Sequence, residues 1–284
     1  MPSFLPPRRS VLFMPASRPR AMHKARDLAA DAVIFDLEDA VAPEAKAEAR
    51  AAACTHVREG GYGRREVLVR INRLDSDWGH DDLAAVAQVP VDGVVLPKVD
   101  RAAQAADCVQ RLRALGSPAP VWAMIESPAG VLHVEAIAAT PGVTVLVMGT
   151  NDLLKDLGAL DSPDRRALQY ALSRSILAAR AHGLGILDGV SPDFQHLDLL
   201  LALCQQGREL GFDGKTLIHP AQIGPANEAF GPTAEQVRQA RRWVSAWEAA
   251  EPGTGVIAVD GQMIEALHVE QARAVLAFQQ AISP

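Results

Sequence analysis

Val121-Trp-Ala-Met-Ile-Glu126-Ser-Pro128 is a short apolar run that ends on a carboxylate and a proline turn. Two other stretches repeat the design, Val67-Leu-Val-Arg70-Ile-Asn72 and Val143-Thr-Val-Leu-Val-Met-Gly149-Thr-Asn-Asp152. Runs of this length and β-branched character read as buried strands. Five more begin near Ser10, Ala32, Gly93, Gly185 and Gly214, which makes eight. Segments rich in strong helix formers lie between or after them, at 43–50, 101–115, 163–182 and 234–250. Asp161-Ser-Pro163 reads as a cap followed by a first-turn proline, and Gly183 as a stop.

Seven of the runs close on a polar residue: Asp36, Arg70, Lys98, Glu126, Asp152, Asp188 and His219. Their spacing is about 30 residues, the size of one βαβ unit. The pattern predicts an α/β chain folded as a (β/α)8 TIM barrel, with a site built at the C-terminal ends of the strands. An open doubly wound sheet fits eight consecutive units less well, and no Gly-x-Gly-x-x-Gly turn follows the first strand.

The 284 residues suit a barrel at 1–250 and a C-terminal lid segment at 251–284. Glu251-Pro-Gly-Thr-Gly255 reads as a hinge. Beyond it come an extended piece at 256–260, a break at Gly261 and a last helix at 264–280. So short a tail cannot build its own core. It is expected to pack on a barrel mouth, its own or a neighbouring subunit's.

A 49% hydrophobic, 22% charged composition is that of a soluble globular protein. The net charge of −6 and the lack of a basic, aromatic-interleaved patch argue against nucleic acid as a partner. Cys54, Cys108 and Cys204 match no zinc or redox spacing. No apolar run is long enough to span a membrane, and none follows Arg8 and Arg9 as a signal peptide would. A cytoplasmic enzyme is the resulting expectation.

Arg70, Glu126 and Asp152 should meet at one barrel mouth. Two carboxylates there can hold a hard divalent cation through oxygen. The plainer alternative is that Glu126 pairs with a neighbour and Asp152 caps a helix. Arg70 either clamps a carboxylate with its planar fork or pairs with Asp36 or Glu38. Asp36, Glu38 and Asp39 read as residues that orient Arg70 or bound water rather than as direct ligands. The Gly149-Thr150-Asn151 turn either offers backbone N–H groups to a substrate carboxylate or is a tight turn that needs glycine. Arg18, Arg20 and Lys24 form a basic loop after the first strand, suited to phosphate groups. His182 and His219 read as structural.

Several stretches together resemble the citrate lyase beta-subunit family, within the HpcH/HpaI-type aldolases and close to malyl-CoA lyases. They are Arg9-Ser-Val-Leu-Phe-Met-Pro-Ala-Ser-Arg-Pro-Arg20, Ala32-Val-Ile-Phe-Asp-Leu-Glu-Asp-Ala-Val41, Val69-Arg-Ile-Asn72, Val95-Leu-Pro-Lys98, Met124-Ile-Glu-Ser-Pro-Ala-Gly130, Gly149-Thr-Asn-Asp-Leu153 and Asp260-Gly-Gln-Met-Ile264. The resemblance implies a TIM barrel acting on citryl-CoA, malyl-CoA or citramalyl-CoA. It implies Glu126 and Asp152 as Mg²⁺ ligands, Arg70 as the enolate-stabilising residue, and Arg18, Arg20 and Lys24 as a coenzyme A phosphate site. One departure stands out. Where malyl-CoA lyase-like relatives carry a lid aspartate, supplied by a neighbouring subunit, this chain has Glu265.

The expected activity is that of a Mg²⁺-dependent carbon–carbon lyase. It would cleave or form a hydroxy-acyl thioester, with oxaloacetate or a related 2-keto acid as product or substrate. A coenzyme-A-free 2-keto acid aldolase and a non-catalytic subunit of a citrate lyase complex are the alternatives. The expected partners are other copies in a homotrimer and, in a citrate lyase complex, the alpha subunit and acyl carrier protein.

Overall fold

The structure is a computed structural model and describes residues 6–251 and 253–283. Eight parallel strands close into a barrel: β1 (Ser10–Pro15), β2 (Ala32–Asp36), β3 (Glu66–Arg70), β4 (Gly93–Leu96), β5 (Val121–Ile125), β6 (Val143–Met148), β7 (Gly185–Asp188) and β8 (Gly214–Leu217). Each strand pairs with the next, and β8 pairs back with β1. This is the (β/α)8 TIM barrel expected from the βα period. The strand starts fall within a residue of those read from the sequence.

Side chains alternate across a strand with period two. The inward set is Val11, Ala32, Ile34, Leu68, Val95, Trp122, Met124, Val145, Val147 and Leu187. Continuing the same alternation to the strand ends puts Asp36 two residues after Ile34 and Arg70 two after Leu68. Glu126 follows Met124 and Gly149 follows Val147 in the same way. The residues that fill the barrel thus set which polar residues face its mouth. Truncating a member of this layer, Leu68→Ala for example, would leave a cavity worth about 2–5 kcal/mol.

Several local expectations are corrected. The helix expected at 163–182 begins only at Gln169, after a 3-10 turn at Arg166–Leu168. Ser162 is not its cap. Arg165 interrupts with a left-handed backbone, φ 48°, because its guanidinium is tied to Asp188 at 2.7 Å and to Gln206 at 2.6 Å. The helix expected at 43–50 runs on as Lys46–Glu59 after a 3-10 turn at Pro43–Ala45. A helix at Ile223–Phe230 was not expected at all.

Two compact units divide the chain. Arg8–Ala229 carries the barrel, and a second unit includes the segment from Phe230 onward. The helix Ala234–Glu248 therefore groups with the tail, ahead of the 251–284 boundary read from the sequence. In this second unit it packs on the helix Ala266–Ile282, with Trp243 edge-on to His268 at 6.0 Å. Pro252 of the expected hinge lies outside the described residues. The extended piece is β9 (Val256–Val259), and a partner strand, β10 (Gln262–Glu265), pairs with it antiparallel. Gly261 is thus a turn residue inside a hairpin, not a break. Asp260 and Gly261 have φ of 52° and 78°, as a two-residue primed hairpin turn requires. The last helix accordingly starts at Ala266 rather than 264. No described helix is long and apolar enough to cross a membrane.

Candidate active site

A cavity of about 370 Å³ opens at the C-terminal mouth of the barrel. Phe13, Asp36, Arg70, Glu126, Gly149, Thr150, Asn151 and Asp152 are among its lining residues. The three strand-end groups singled out from the sequence therefore share one space.

Arg70 is buried at the end of β3, in register with Asp36 on β2. Asp36 accepts from Arg70 Nε and Nη2, each at 2.6 Å. The other face of the same carboxylate accepts the N–H groups of Glu38 and Ala40, so Asp36 fixes both the arginine and the turn after β2. Arg70 Nη1 lies 2.8 Å from Glu38 Oε2, an ion contact without hydrogen-bond alignment. The Phe13 ring backs the guanidinium at 4.9 Å. Burial alone would lower the Arg70 pKa, but the Asp36 and Glu38 carboxylates outweigh it and raise it. The clamp and the ion pair posed as alternatives are thus not exclusive, because Asp36 takes one edge of the guanidinium, through Nε and Nη2, and Nη1, which faces Glu38 and Asp39, remains beside the cavity.

Glu126 is almost fully buried. Its Oε1 accepts the Lys98 N–H at 2.5 Å. Burial and the nearby Glu38 push its carboxyl up to about 7, against the opposing pull of the Lys98 amide and Arg70. Asp152 sits in the first turn of the helix Thr150–Leu157 and is partly exposed. Gly149 lies between them in the chain. A Cβ at 149 would come within 2.5 Å of Glu126 Oε2, so glycine is required for Glu126 to lie where it does. Gly149 N–H donates to the Ile125 carbonyl and is not available to a substrate. Thr150 and Asn151 begin the helix, where the first N–H groups have no intrahelical partner.

Lys98, which the sequence marks only as a strand-end polar residue, belongs to this site. It has φ 52°, a conformation that costs a side-chain-bearing residue about 1–2 kcal/mol. That backbone aims its N–H at Glu126. Its Nζ reaches Glu38 at 3.1 Å, and Asp39 and Asp152 at 3.7 Å each. Lys46 was also missed. Its buried Nζ donates to the carbonyls of Leu37 and Glu38 and to Asn72 Oδ1, at 2.7–2.8 Å. A lysine ten residues after a strand-end aspartate carries no visible signal, because the turn between them is what brings it back.

The remaining candidates lie elsewhere. Arg18, Arg20 and Lys24 are exposed around the short helix after β1 and line a separate shallow hollow. Glu265 belongs to the C-terminal unit, where it stands at the N-cap position of the helix Ala266–Ile282 and its N–H donates to His268 Nδ1 at 3.0 Å. His219 is exposed, stacks on Phe194 at 4.7 Å and accepts the Ala221 N–H. His182 is exposed as well.

Glu126 and Asp152 are hard oxygen donors on one cavity. Among the described residues no group of three His, Cys, Asp or Glu side chains forms a metal cage. Two carboxylates with the rest of the shell left to water and substrate is how Mg²⁺ is usually held. The close approach that Gly149 allows is what sets Glu126 at the edge of this cavity, with Asp152 on the same cavity. The class this defines is a TIM-barrel protein with an acid-rich mouth arranged around one buried arginine.

The family model for HpcH/HpaI aldolase/citrate lyase matches residues 9–220. A (3S)-malyl-CoA thioesterase of Cereibacter sphaeroides (strain KD131 / KCTC 12085) is 49% identical, over 98% of this chain and 96% of that protein. CitE from Mycobacterium tuberculosis, solved in complex with magnesium, acetoacetate and coenzyme A, gives a TM-score of 0.78 at 31% identity, over 99% of this chain and 100% of that one. The citrate lyase beta subunit from M. tuberculosis, complexed with oxaloacetate and magnesium, gives 0.69 at 32% identity, over 79% and 97%. The chain belongs to the HpcH/HpaI aldolase/citrate lyase family.

Proposed function

We propose that the protein is a Mg²⁺-dependent carbon–carbon lyase acting on a short hydroxy-acyl-CoA thioester, of the malyl-, citramalyl- or citryl-CoA type. The observation that carries this reading is the Arg70 guanidinium, locked by Asp36 beside the Glu126 and Asp152 carboxylates. Glu126 and Asp152 would hold the ion. When bound, Mg²⁺ supplies Lewis-acid polarisation of the keto-acid oxygens. The first-turn N–H groups of Thr150 and Asn151 orient the keto-acid carboxylate. In cleavage the substrate hydroxyl gives its proton to a solvent water, the carbon–carbon bond breaks and the electron pair moves onto the thioester fragment. Arg70 Nη1 stabilises the resulting enolate oxygen, in a geometry prepared before substrate arrives. Arg18, Arg20 and Lys24 take the coenzyme A phosphates. Glu265, from the tail of a neighbouring copy in a homotrimer, donates the proton that completes acetyl-CoA.

Hydrolysis of the same thioester is the second reading, favoured by the 49% identical malyl-CoA thioesterase. Both readings use one substrate and differ in the bond broken. Support for a coenzyme A substrate comes from the CitE complex with magnesium and coenzyme A. An alpha subunit and acyl carrier protein would be partners only if the chain serves a citrate lyase complex.

Calorimetric titration with oxaloacetate and Mg²⁺ tests the metal assignment. Glu126→Ala and Asp152→Ala should each abolish Mg²⁺-dependent oxaloacetate binding while the barrel stays folded. Parent affinity in both variants would remove the assignment.

A further inference from the structure

Lys98 touches both carboxylates of the proposed ion site, each with a different part of the residue. Its N–H is bonded to Glu126 Oε1 at 2.5 Å, and its ammonium stands 3.7 Å from Asp152 Oδ2. The same ammonium lies 3.1 Å from Glu38 and 3.7 Å from Asp39. Arg70, the other cation of the cluster, is held by Asp36 and Glu38. Lys98 is therefore the cation that faces Asp152, and its positive φ of 52° is what turns both ends of the residue inward. The side chain is 31% exposed, so a flexible four-carbon stem can withdraw the charge into solvent.

We propose that Lys98 is the resident counter-cation and positioning residue of the divalent site. Before the ion arrives, the ammonium holds Asp152 and Glu38 against their mutual repulsion. As a positive charge beside Asp152, it also keeps the affinity for a bare divalent cation low. A keto acid brings a carboxylate that offsets this charge, so the ion and the keto acid bind together rather than in sequence. Coulomb interaction at about 4 Å is large enough at a partly buried site to set such an order. The inference rests on the reading of Glu126 and Asp152 as ion ligands.

The test is calorimetric titration of the full chain with Mg²⁺, alone and with saturating oxaloacetate. It compares the parent with Lys98→Met, Lys98→Arg and Lys98→Gly. Lys98→Met should tighten Mg²⁺ binding in the absence of oxaloacetate by about tenfold. The gain that oxaloacetate confers should shrink by a similar factor. Lys98→Gly keeps the N–H and relieves the left-handed backbone, and it should behave the same way even if the methionine variant is poorly folded. Lys98→Arg keeps the charge and should stay within about threefold of the parent. Unchanged or weakened Mg²⁺ binding in the methionine and glycine variants, with a lower melting temperature, would make Lys98 purely structural and overturn the proposal. A parent that binds no Mg²⁺ with or without oxaloacetate would instead remove the ion site itself.

Discussion

Asp36 and Arg70 face each other in register at the ends of β2 and β3, and the carboxylate takes the guanidinium through two bonds of 2.6 Å. Period-two alternation points both inward, and the pair is planar and bidentate. Lysine can keep the charge but not this geometry. Arg70→Lys should lower turnover by about a hundredfold or more, and stability by about 1–3 kcal/mol, measured by initial rates and urea denaturation. A stability loss with near-normal turnover would reduce Arg70 to an ion-pair partner.

Lys46 supports this pair from beneath. Its three bonds hold the Leu37–Glu38 backbone and Asn72, and the side chain is buried. Lys46→Met preserves the stem but leaves Asn72 Oδ1 without its donor, while the Leu37 carbonyl keeps only Asn72 Nδ2 and the Glu38 carbonyl only the Val41 N–H. The expected loss is about 3 kcal/mol, read as a lower denaturation midpoint. A change under about 0.5 kcal/mol, the range of ordinary surface substitutions, would show that water replaces the ammonium.

Glu126 gives a pH dependence with a definite sign. Its folded-state carboxyl, pushed up to about 7, lies above the ordinary value of 4.5. Between those values the folded chain binds more protons than the unfolded chain, so stability without a divalent cation falls as pH rises from 4.5 toward 7. Divalent binding needs the carboxylate, so Mg²⁺ affinity should rise by about tenfold between pH 6 and pH 8. Glu126→Gln should melt higher than the parent at pH 8 and gain nothing from Mg²⁺. Thermal scans across pH with and without Mg²⁺ check both effects, and a variant that still gains stability from Mg²⁺ would contradict them.

The barrel was legible because its evidence is local. Each apolar run marks a strand, and the period-two face carries on into Asp36, Arg70 and Glu126. What escaped is what depends on the closed structure. Lys98 takes a left-handed backbone because Glu126, Glu38 and Asp152 converge on it from three other segments. The helix after residue 163 starts late because Arg165 is pulled to Asp188 on β7. The β9–β10 hairpin was readable in principle, since Asp260-Gly261 is a strong primed-turn signal. With Gly261 as the end of the extended piece, no second strand is left for that turn to join.

Glu265 tests the tail. It stands at the start of the last helix with its N–H donating to His268 Nδ1, a backbone bond that glutamine keeps. Glu265→Gln should therefore keep the melting temperature and oxaloacetate binding while lowering thioester turnover by about tenfold or more. Steady-state rates at saturating Mg²⁺ decide this, and a parent rate would leave Glu265 with its place at the helix start alone.

The most direct measurement is product analysis with malyl-CoA, citramalyl-CoA and citryl-CoA, each with Mg²⁺ and with a chelator. At least one thioester should yield acetyl-CoA and its 2-keto acid in equal amounts, only when Mg²⁺ is present, and the reaction should be lost in Asp152→Ala. Release of free coenzyme A with no keto acid, or turnover indifferent to chelation, would contradict a Mg²⁺-dependent carbon–carbon lyase.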